Sequence, residues 1–421
     1  MESKVESDSG YAKPVKRGSR TKWLRILAVV IVLWIVALLL LVNAYPMPLS
    51  TMADFSVRTV DSTGYIRDIS SACDSRDEVH LTIVSSKGLT YIAPNGDQEV
   101  LSSGQFDYCS MAVDSQSSVH IAAQLAYPDY SLLYFKYAEG QWVQQVVRAG
   151  VWGWPISIAL DSQSHAYISY STNDSLVLSS NEPGSWEHET VRLTHYGSGS
   201  VTLIDRQDRI HVLNQDPLYH YVRDNGSWIV DRIRTDYYAT WISAAIDSED
   251  AIHVGFVAGG RIIHAVNRSG SWEFTSVDNT TQSGRCSLAV DSDDAIHIAY
   301  NDYSDGTAKY AHNLHGAWSV QTLKKAWDPN DSEYVRTTAY WPTLAVDSND
   351  NVHIIYSTHA PGDDHSTLRA VTDGTLPALY SVMLKSLAFP VIMILLVFTA
   401  MFLKNRREKN LDKHYGLQEE E

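Results

Sequence analysis

Residues 288–300 read LAVDSDDAIHIAY, and residues 344–356 read LAVDSNDNVHIIY. A chain that repeats one phrase folds as an array of like units, because every copy sets out the same buried and exposed positions. Aligned on its aspartate, the phrase occurs seven times: CDSRDEVHL from Cys73, VDSQSSVHI from Val113, LDSQSHAYI from Leu160, IDRQDRIHV from Ile204, IDSEDAIHV from Ile246, VDSDDAIHI from Val290 and VDSNDNVHI from Val346. The aspartates stand at 74, 114, 161, 205, 247, 291 and 347, a spacing of 40 to 47 residues with one longer interval. A repeat of that length with four short strands predicts one β-propeller blade per copy.

Each copy reads strand by strand. A small, apolar run such as SLAV or TLAV, buried on both faces, suits the inner strand beside the central channel. The Asp-Ser cluster that follows is turn chemistry, since short polar side chains satisfy backbone amides and tolerate tight dihedrals. Alternating Ile-His-Ile or Val-His-Ile runs give the second strand. LLYFKYAE, LYHYVRD, IIHAVNR and AKYAHNL give the third, ended by EGQW, NGSW, SGSW or HGAW. The Gly-containing pair is a hairpin signal, and the tryptophan after it opens the fourth strand. Trp142, Trp186, Trp228, Trp272 and Trp318 recur in register and are expected to pack between neighbouring blades.

The seventh copy supplies only three strands, ending near Ser366 to Gly374. ADFSVRTVDSTGYIRDISSACDS (Ala53 to Ser75) lines up with SWEFTSVDNTTQSGRCSLAVDS (Ser271 to Ser292), so Phe55 to Val60 is read as a fourth strand without a blade. Pairing it with the last copy closes the ring and removes two sheet edges. The expected fold is all-β: a seven-bladed propeller over residues 53–374, its two ends leaving from the face of the Asp-Ser turns.

The small-apolar run, the D-S-x-x-x-h-H-h segment and the Gly-x-Trp hairpin resemble the sialidase-like (Asp-box type) β-propeller repeats of bacterial and archaeal cell-surface proteins. The Gly-x-Trp element is similar to part of the Asp-box hairpin, but no copy holds the full S-x-D-x-G-x-x-W pattern. The resemblance therefore speaks for the fold and little for the activity. A sialidase would need an arginine cluster, a Tyr-Glu pair and an acidic Asp, and glycosidases generally need two carboxylates at a set separation. Arg58, Arg67, Arg285 and Arg336 exist, but the Phe/Tyr-Arg-Ile-Pro segment does not occur, and Glu333-Tyr334 is only an adjacent pair. No catalytic residue is assigned.

His80, His120, His211, His253, His297 and His353 share one repeat position, with Tyr167 in the remaining copy. Equivalent positions on successive blades are spread around a ring, too far apart to meet on one ion at ~2.0–2.2 Å, so the histidines are expected to serve the fold. Asp291-Ser-Asp293-Asp294 and Asp347-Ser-Asn-Asp350 resemble pieces of a calcium loop without its glycine and distal glutamate. Turn capping is the expected role, and neither metal nor cofactor is assigned.

The face opposite the Asp-Ser turns is built from second-to-third-strand loops and blade-to-blade connections. Here aromatics stand beside Asp and Asn, a composition suited to stacking on a sugar ring or to a protein interface. The expected ligand-binding residues are Tyr127 and Tyr130 of AYPDYS, Trp152 of GVWGWP, Tyr237 and Tyr238 of TDYYATW, and Tyr303 and Asp305 of YNDYSDGT. Trp327 and Tyr334 of the long segment from Lys325 to Pro342, and Asp363 of STHAPGDDHST, complete the set. Trp154, Trp241 and Trp341 abut the inner strands and are expected to plug the channel mouth.

Topology and charge bound the setting. Residues 23–43 and 379–403 are almost wholly apolar runs of about 20 residues, long enough to cross a hydrocarbon core as helices. Basic residues flank their outer ends, within tails 1–22 and 404–421, so both tails are expected in the cytoplasm and the propeller outside the cell membrane. Val42-Asn43-Ala44 could serve as a signal-peptidase site, but the run exceeds a usual signal core, so an uncleaved anchor is expected. The segment 44–379 carries 20 Lys and Arg against 41 Asp and Glu, a net of −21, which disfavours nucleic acid as a partner. Asn173, Asn225, Asn267, Asn279 and Asn330 open N-x-S/T sequons, all within this segment. Cys73, Cys109 and Cys286 are too few for a disulfide scaffold. The expected function is a non-catalytic binding or adhesion module for a glycan or surface protein, the alternatives being a sialidase-like glycoside hydrolase and a structural subunit of a membrane complex.

Overall fold

The computed structural model describes residues 53–55 and 65–372, apart from 139, 153, 195–197, 216, 234–237, 269, 280–282, 315, 325–337 and 360–365. The two apolar end segments and the basic tails lie outside the described residues. Among the described residues, no helix is long and apolar enough to cross a membrane.

Among the described residues all regular structure is β, arranged as seven antiparallel four-stranded sheets. Blades 1 to 6 are continuous in sequence: 68–102, 106–148, 157–193, 200–232, 239–278 and 283–324. Blade 7 takes three strands from 338–372 and its fourth from Ala53–Phe55. That strand pairs antiparallel with Ser366–Thr372, Ala53 opposite Thr372 and Phe55 opposite Ala370. The expected closure is present, with the described strand at Ala53–Phe55; residues 56–60 are not described. Because the strand carrying Thr372 runs toward the Asp-Ser turns and Ala53 lies opposite it, both ends leave the propeller at that face.

The first strand of each blade lies inward and packs on its counterparts in the adjacent blades, Asp68–Cys73 meeting Thr338–Val346 across the closure. A small polar residue four places before the repeat aspartate in six of the seven copies, with Val201 in blade 4, explains how closely these strands approach. Ser70, Ser110, Ser157, Ser243 and Ser287 each accept a hydrogen bond at Oγ from an inner-strand amide of the next blade: Met111, Ile158, Thr202, Leu288 and Leu344, at 2.9–3.2 Å. Thr343 meets the Ser71 hydroxyl at 2.9 Å across the closure. Apolar clusters fill the space between blades, as where Tyr134 and Val147 of blade 2 pack on Ile158 and Ile168 of blade 3.

The Asp-Ser phrase is a turn of fixed geometry. The repeat aspartate accepts at Oδ1 from the amides two and four residues on, for instance Asp291 from Asp293 at 3.0 Å and Ala295 at 2.7 Å. The third residue after it takes positive φ in all seven copies: Asp77, Ser117, Ser164, Asp208, Asp250, Asp294 and Asp350, at 57–64°. Short Asp and Ser side chains tolerate this left-handed conformation. Four of these residues, all aspartates, also clasp a serine of the blade before them. Asp208, Asp294, Asp350 and Asp77 accept the amide and hydroxyl of Ser162, Ser248, Ser292 and Ser348, at 2.6–3.0 Å. The last of these spans the ring closure.

The repeat histidines belong to the same turn. His120, His211, His253, His297 and His353 place Nε2 3.0–3.3 Å from Oδ2 of their own blade's aspartate. In blade 1 Arg76 takes Asp74 Oδ2, and His80 Nε2 stands back at 3.6 Å. The Gly-x-Trp tryptophans span blades as expected. Trp142, Trp186, Trp228 and Trp272 donate from Nε1 to Glu99, Gln145, Glu189 and Asp231 of the preceding blade, at 2.6–3.0 Å.

Candidate functional site at the channel mouth and distal rim

The inner strands begin at the face opposite the Asp-Ser turns, and there their pairing is interrupted. Register shifts fall between Phe106 and Tyr108, Thr240 and Ser243, Ser283 and Cys286, and Tyr340 and Thr343. Such bulges re-aim the side chains they carry. Here they carry Asp107, Trp241, Arg285 and Trp341. Trp241 and Trp341 take φ of 53° and 54°, a left-handed conformation that costs bulky residues roughly 1 kcal/mol or more.

These residues converge. The Trp241 and Trp341 rings meet edge to face with centroids 6.1 Å apart, and the Arg285 guanidinium lies 5.6 Å from the first and 5.0 Å from the second. Arg285 Nη1 donates to Asp68 Oδ1 at 2.5 Å. Asp68 is wholly buried and also accepts the amides of Ile69 and Cys109, each at 2.9 Å. Burial pushes its carboxyl above the usual carboxylate range, while Arg285 and the two amides oppose the rise. Every one of those partners is a donor, so the arrangement fits the ionised form at neutral pH. Trp341 Nε1 is anchored on Ile66 O at 3.0 Å. Arg67 and Asp107 form a second, looser pair at 3.5 Å.

The expected rim residues fall into two groups. On blades 2 and 3, Tyr127 meets Tyr130 edge to face at 5.9 Å, and Tyr130 stacks on Trp152 at 4.8 Å with 13° between the planes. Val151, before Trp152, is held by the Tyr130 carbonyl and the Gln124 side-chain amide, both at 2.6 Å. Tyr127 is 73% exposed and Trp152 44%. On the other side, Tyr303 of blade 6 meets Tyr340 of blade 7 at 6.1 Å, and Tyr65 lies 6.4 Å from Tyr340 and 5.3 Å from His359. Tyr238 is 78% exposed. Tyr237, Trp327, Tyr334 and Asp363 lie outside the described residues, as does the sequon residue Asn330.

Asp305 Oδ1 accepts the Thr307 amide and hydroxyl at 3.0 and 2.5 Å, so that oxygen shapes its own loop. Trp154 is 40% exposed and forms part of the rim, whereas Trp241 and Trp341 occupy the mouth as expected. Asp68 and the role of Arg285 are not evident from the sequence, because the bulge that turns Arg285 toward Asp68 leaves no mark in it.

The turn face holds a cavity of about 450 Å³ at blades 4 to 6, bordered by Asp205, Asp247 and Asp291. Those carboxylates are committed to their own turns and histidines. Among the described residues no group of three His, Cys, Asp or Glu is placed to hold a metal ion.

No protein-family model matches the chain, and no curated protein is similar in sequence. Solved structures share the fold. Virginiamycin B lyase from Staphylococcus aureus superposes with a TM-score of 0.52 at 8% identity, covering 76% of this chain and 99% of that one. The extracellular domain of a hybrid two-component system from B. thetaiotaomicron gives 0.50 at 13% identity, covering 76% and 39%. The NanB sialidase of Streptococcus pneumoniae gives 0.43 at 12% identity, covering 78% and 72%. At these identities the likeness is one of architecture alone.

Proposed function

We propose that the chain is anchored in a membrane by its two apolar ends and displays the propeller outside the cell as a non-catalytic module that binds a glycan, with a surface protein as the other candidate partner. The observation that carries this reading is the ring ladder Tyr127, Tyr130 and Trp152, held open to solvent on the face away from both chain ends. Exposed large aromatics fixed in place by backbone hydrogen bonds form a ready stacking surface and lose little freedom on binding. The repeated turn phrase and Gly-x-Trp hairpin support kinship with the sialidase-like repeat proteins.

A hydrolase is the weaker reading, because the mouth's carboxylates are already engaged: Asp68 by three donors and Asp107 by Arg67. The test uses the full chain in lipid nanodiscs on a broad glycan array, with tryptophan fluorescence as the solution readout. Selective binding that Trp152→Ala and Tyr130→Ala abolish supports the reading. An array without a single bound glycan overturns its glycan arm, and cross-linking in the native membrane then identifies the protein partner.

A further inference from the structure

We propose that the channel mouth is a subsite for an uncharged saccharide, with Arg285 donating to its oxygens and Trp241 and Trp341 covering its apolar face; this rests on the glycan reading above. The side chain of Arg285 is 19% exposed, and among the described residues its one hydrogen bond goes to Asp68. Its remaining N–H groups are therefore free to meet a ligand. The indoles flank the guanidinium and Asp68 holds it from behind, so the donors are fixed before anything arrives.

A mere plug would not call for this construction. Apolar side chains would fill the mouth without burying a carboxylate, and replacing a buried ion pair by apolar residues is often neutral or stabilising. Instead a wholly buried Asp68 and two left-handed tryptophans meet at one point, the kind of local strain that gathers at binding sites.

Asn301 is an independent pointer. It is 1% exposed, and among the described residues neither its Oδ1 nor its Nδ2 has a partner. Gln124 and Ser171, which occupy the same repeat position, bond the carbonyls of Val151 and Ser198 at 2.6 Å. Asn301 abuts Gly284, the neighbour of Arg285: a β-carbon there would lie 2.6 Å from its Nδ2 and 2.5 Å from the Tyr303 ring. A buried donor and acceptor without partners beside a partly exposed guanidinium are completed by a ligand bearing hydroxyls or amides that enters between them.

Charge selects among saccharides. Asp68 cancels Arg285, Asp107 is paired with Arg67, and the segment 44–379 carries −21. Carboxylated or phosphorylated sugars meet no net positive charge here, whereas a neutral pyranose offers both lone pairs and an apolar face.

The test titrates the full chain in nanodiscs with neutral cello-, malto- and chito-oligosaccharides and with any neutral glycan the array identifies, beside sialylated and uronic-acid counterparts. Neutral ligands are expected to bind with an affinity indifferent to salt between 50 and 300 mM. The affinity should fall at least tenfold in Arg285→Met and in the double variant Arg285→Met with Asp68→Leu, which leaves no orphaned carboxylate and whose melting temperature reports folding. Preference for the acidic sugars, or neutral binding unchanged by either variant while Trp152→Ala removes it, would overturn the subsite and leave the rim reading standing. Absence of all sugar binding would sink both.

Discussion

His253 makes plain what one repeat residue does. Its Nε2 lies 3.0 Å from Asp247 Oδ2, and its Nδ1 lies 3.0 Å from Nε2 of His264. The neutral tautomer with its proton on Nε2 satisfies both contacts, since Nδ1 then accepts from His264. Burial holds these rings below their ordinary pKa: His120 and His220 come down to about 4 and His264 to about 3. An unfolded chain therefore takes up protons below about pH 6.5 that the folded one refuses, so stability is intact above that value and is lost as pH falls toward 4. At pH 5 each such histidine costs up to about 2 kcal/mol. The melting temperature should be clearly lower at pH 5 than at pH 7.5, and a flat profile would refute the reading. Asp291→Ala removes the acceptor for two amides and for His297. It should lower stability by about 3 kcal/mol in chemical denaturation. The structural role of the histidine is legible in the sequence because Tyr167 fills its slot in blade 3, where its hydroxyl reaches Asp161 at 3.4 Å and Glu182 at 3.0 Å. The bond to the aspartate six residues back follows only once the turn is folded.

Among the elements, the tryptophan-bearing fourth strands are legible and the start of the inner strands is not. Gly-x-Trp fixes a hairpin and a ring in register, and the structure places Trp272 against blade 4 with a 2.6 Å bond to Asp231. Trp272→Phe keeps the ring but forfeits the bond and should cost about 1 kcal/mol, while Trp272→Ala should cost about 3 to 5 kcal/mol. Equal losses for the two, measured by urea unfolding, would show that the bond rather than the packing holds the blades. At the inner strands, alternation predicts which face a side chain takes only while pairing stays in register. The shifts at Ser283/Cys286 and Tyr340/Thr343 break that rule and turn Arg285 and Trp341 toward the mouth. The serines four places before five of the seven aspartates are visible in SLAV and its relatives, yet read as merely small. Their hydroxyls take amides from the next blade, a pairing between elements more than forty residues apart that no local pattern announces.

For the whole molecule, the propeller is a ring with one seam, and the seam is mended by different means at its centre, its turn face and its rim. Inner strands meet through Thr343 and Ser71, Ser348 clasps Asp77, and Ala53–Phe55 completes blade 7. A chain lacking residues 53–55 leaves Ser366–Thr372 as an open edge. Such a variant should elute as aggregates in size-exclusion chromatography and melt well below the full chain; a monodisperse, equally stable product would show the strand to be dispensable. The blade composed from both ends of the propeller segment has one more consequence. A protease that cuts once in any distal loop divides the chain into two fragments, each still bearing its own terminal segment, and the sheet of blade 7 knits those fragments together. Nicked protein would run as two bands under denaturing conditions and as one particle in the native state, so freeing the propeller from both of its flanking segments would take a cut at each end of residues 53–372.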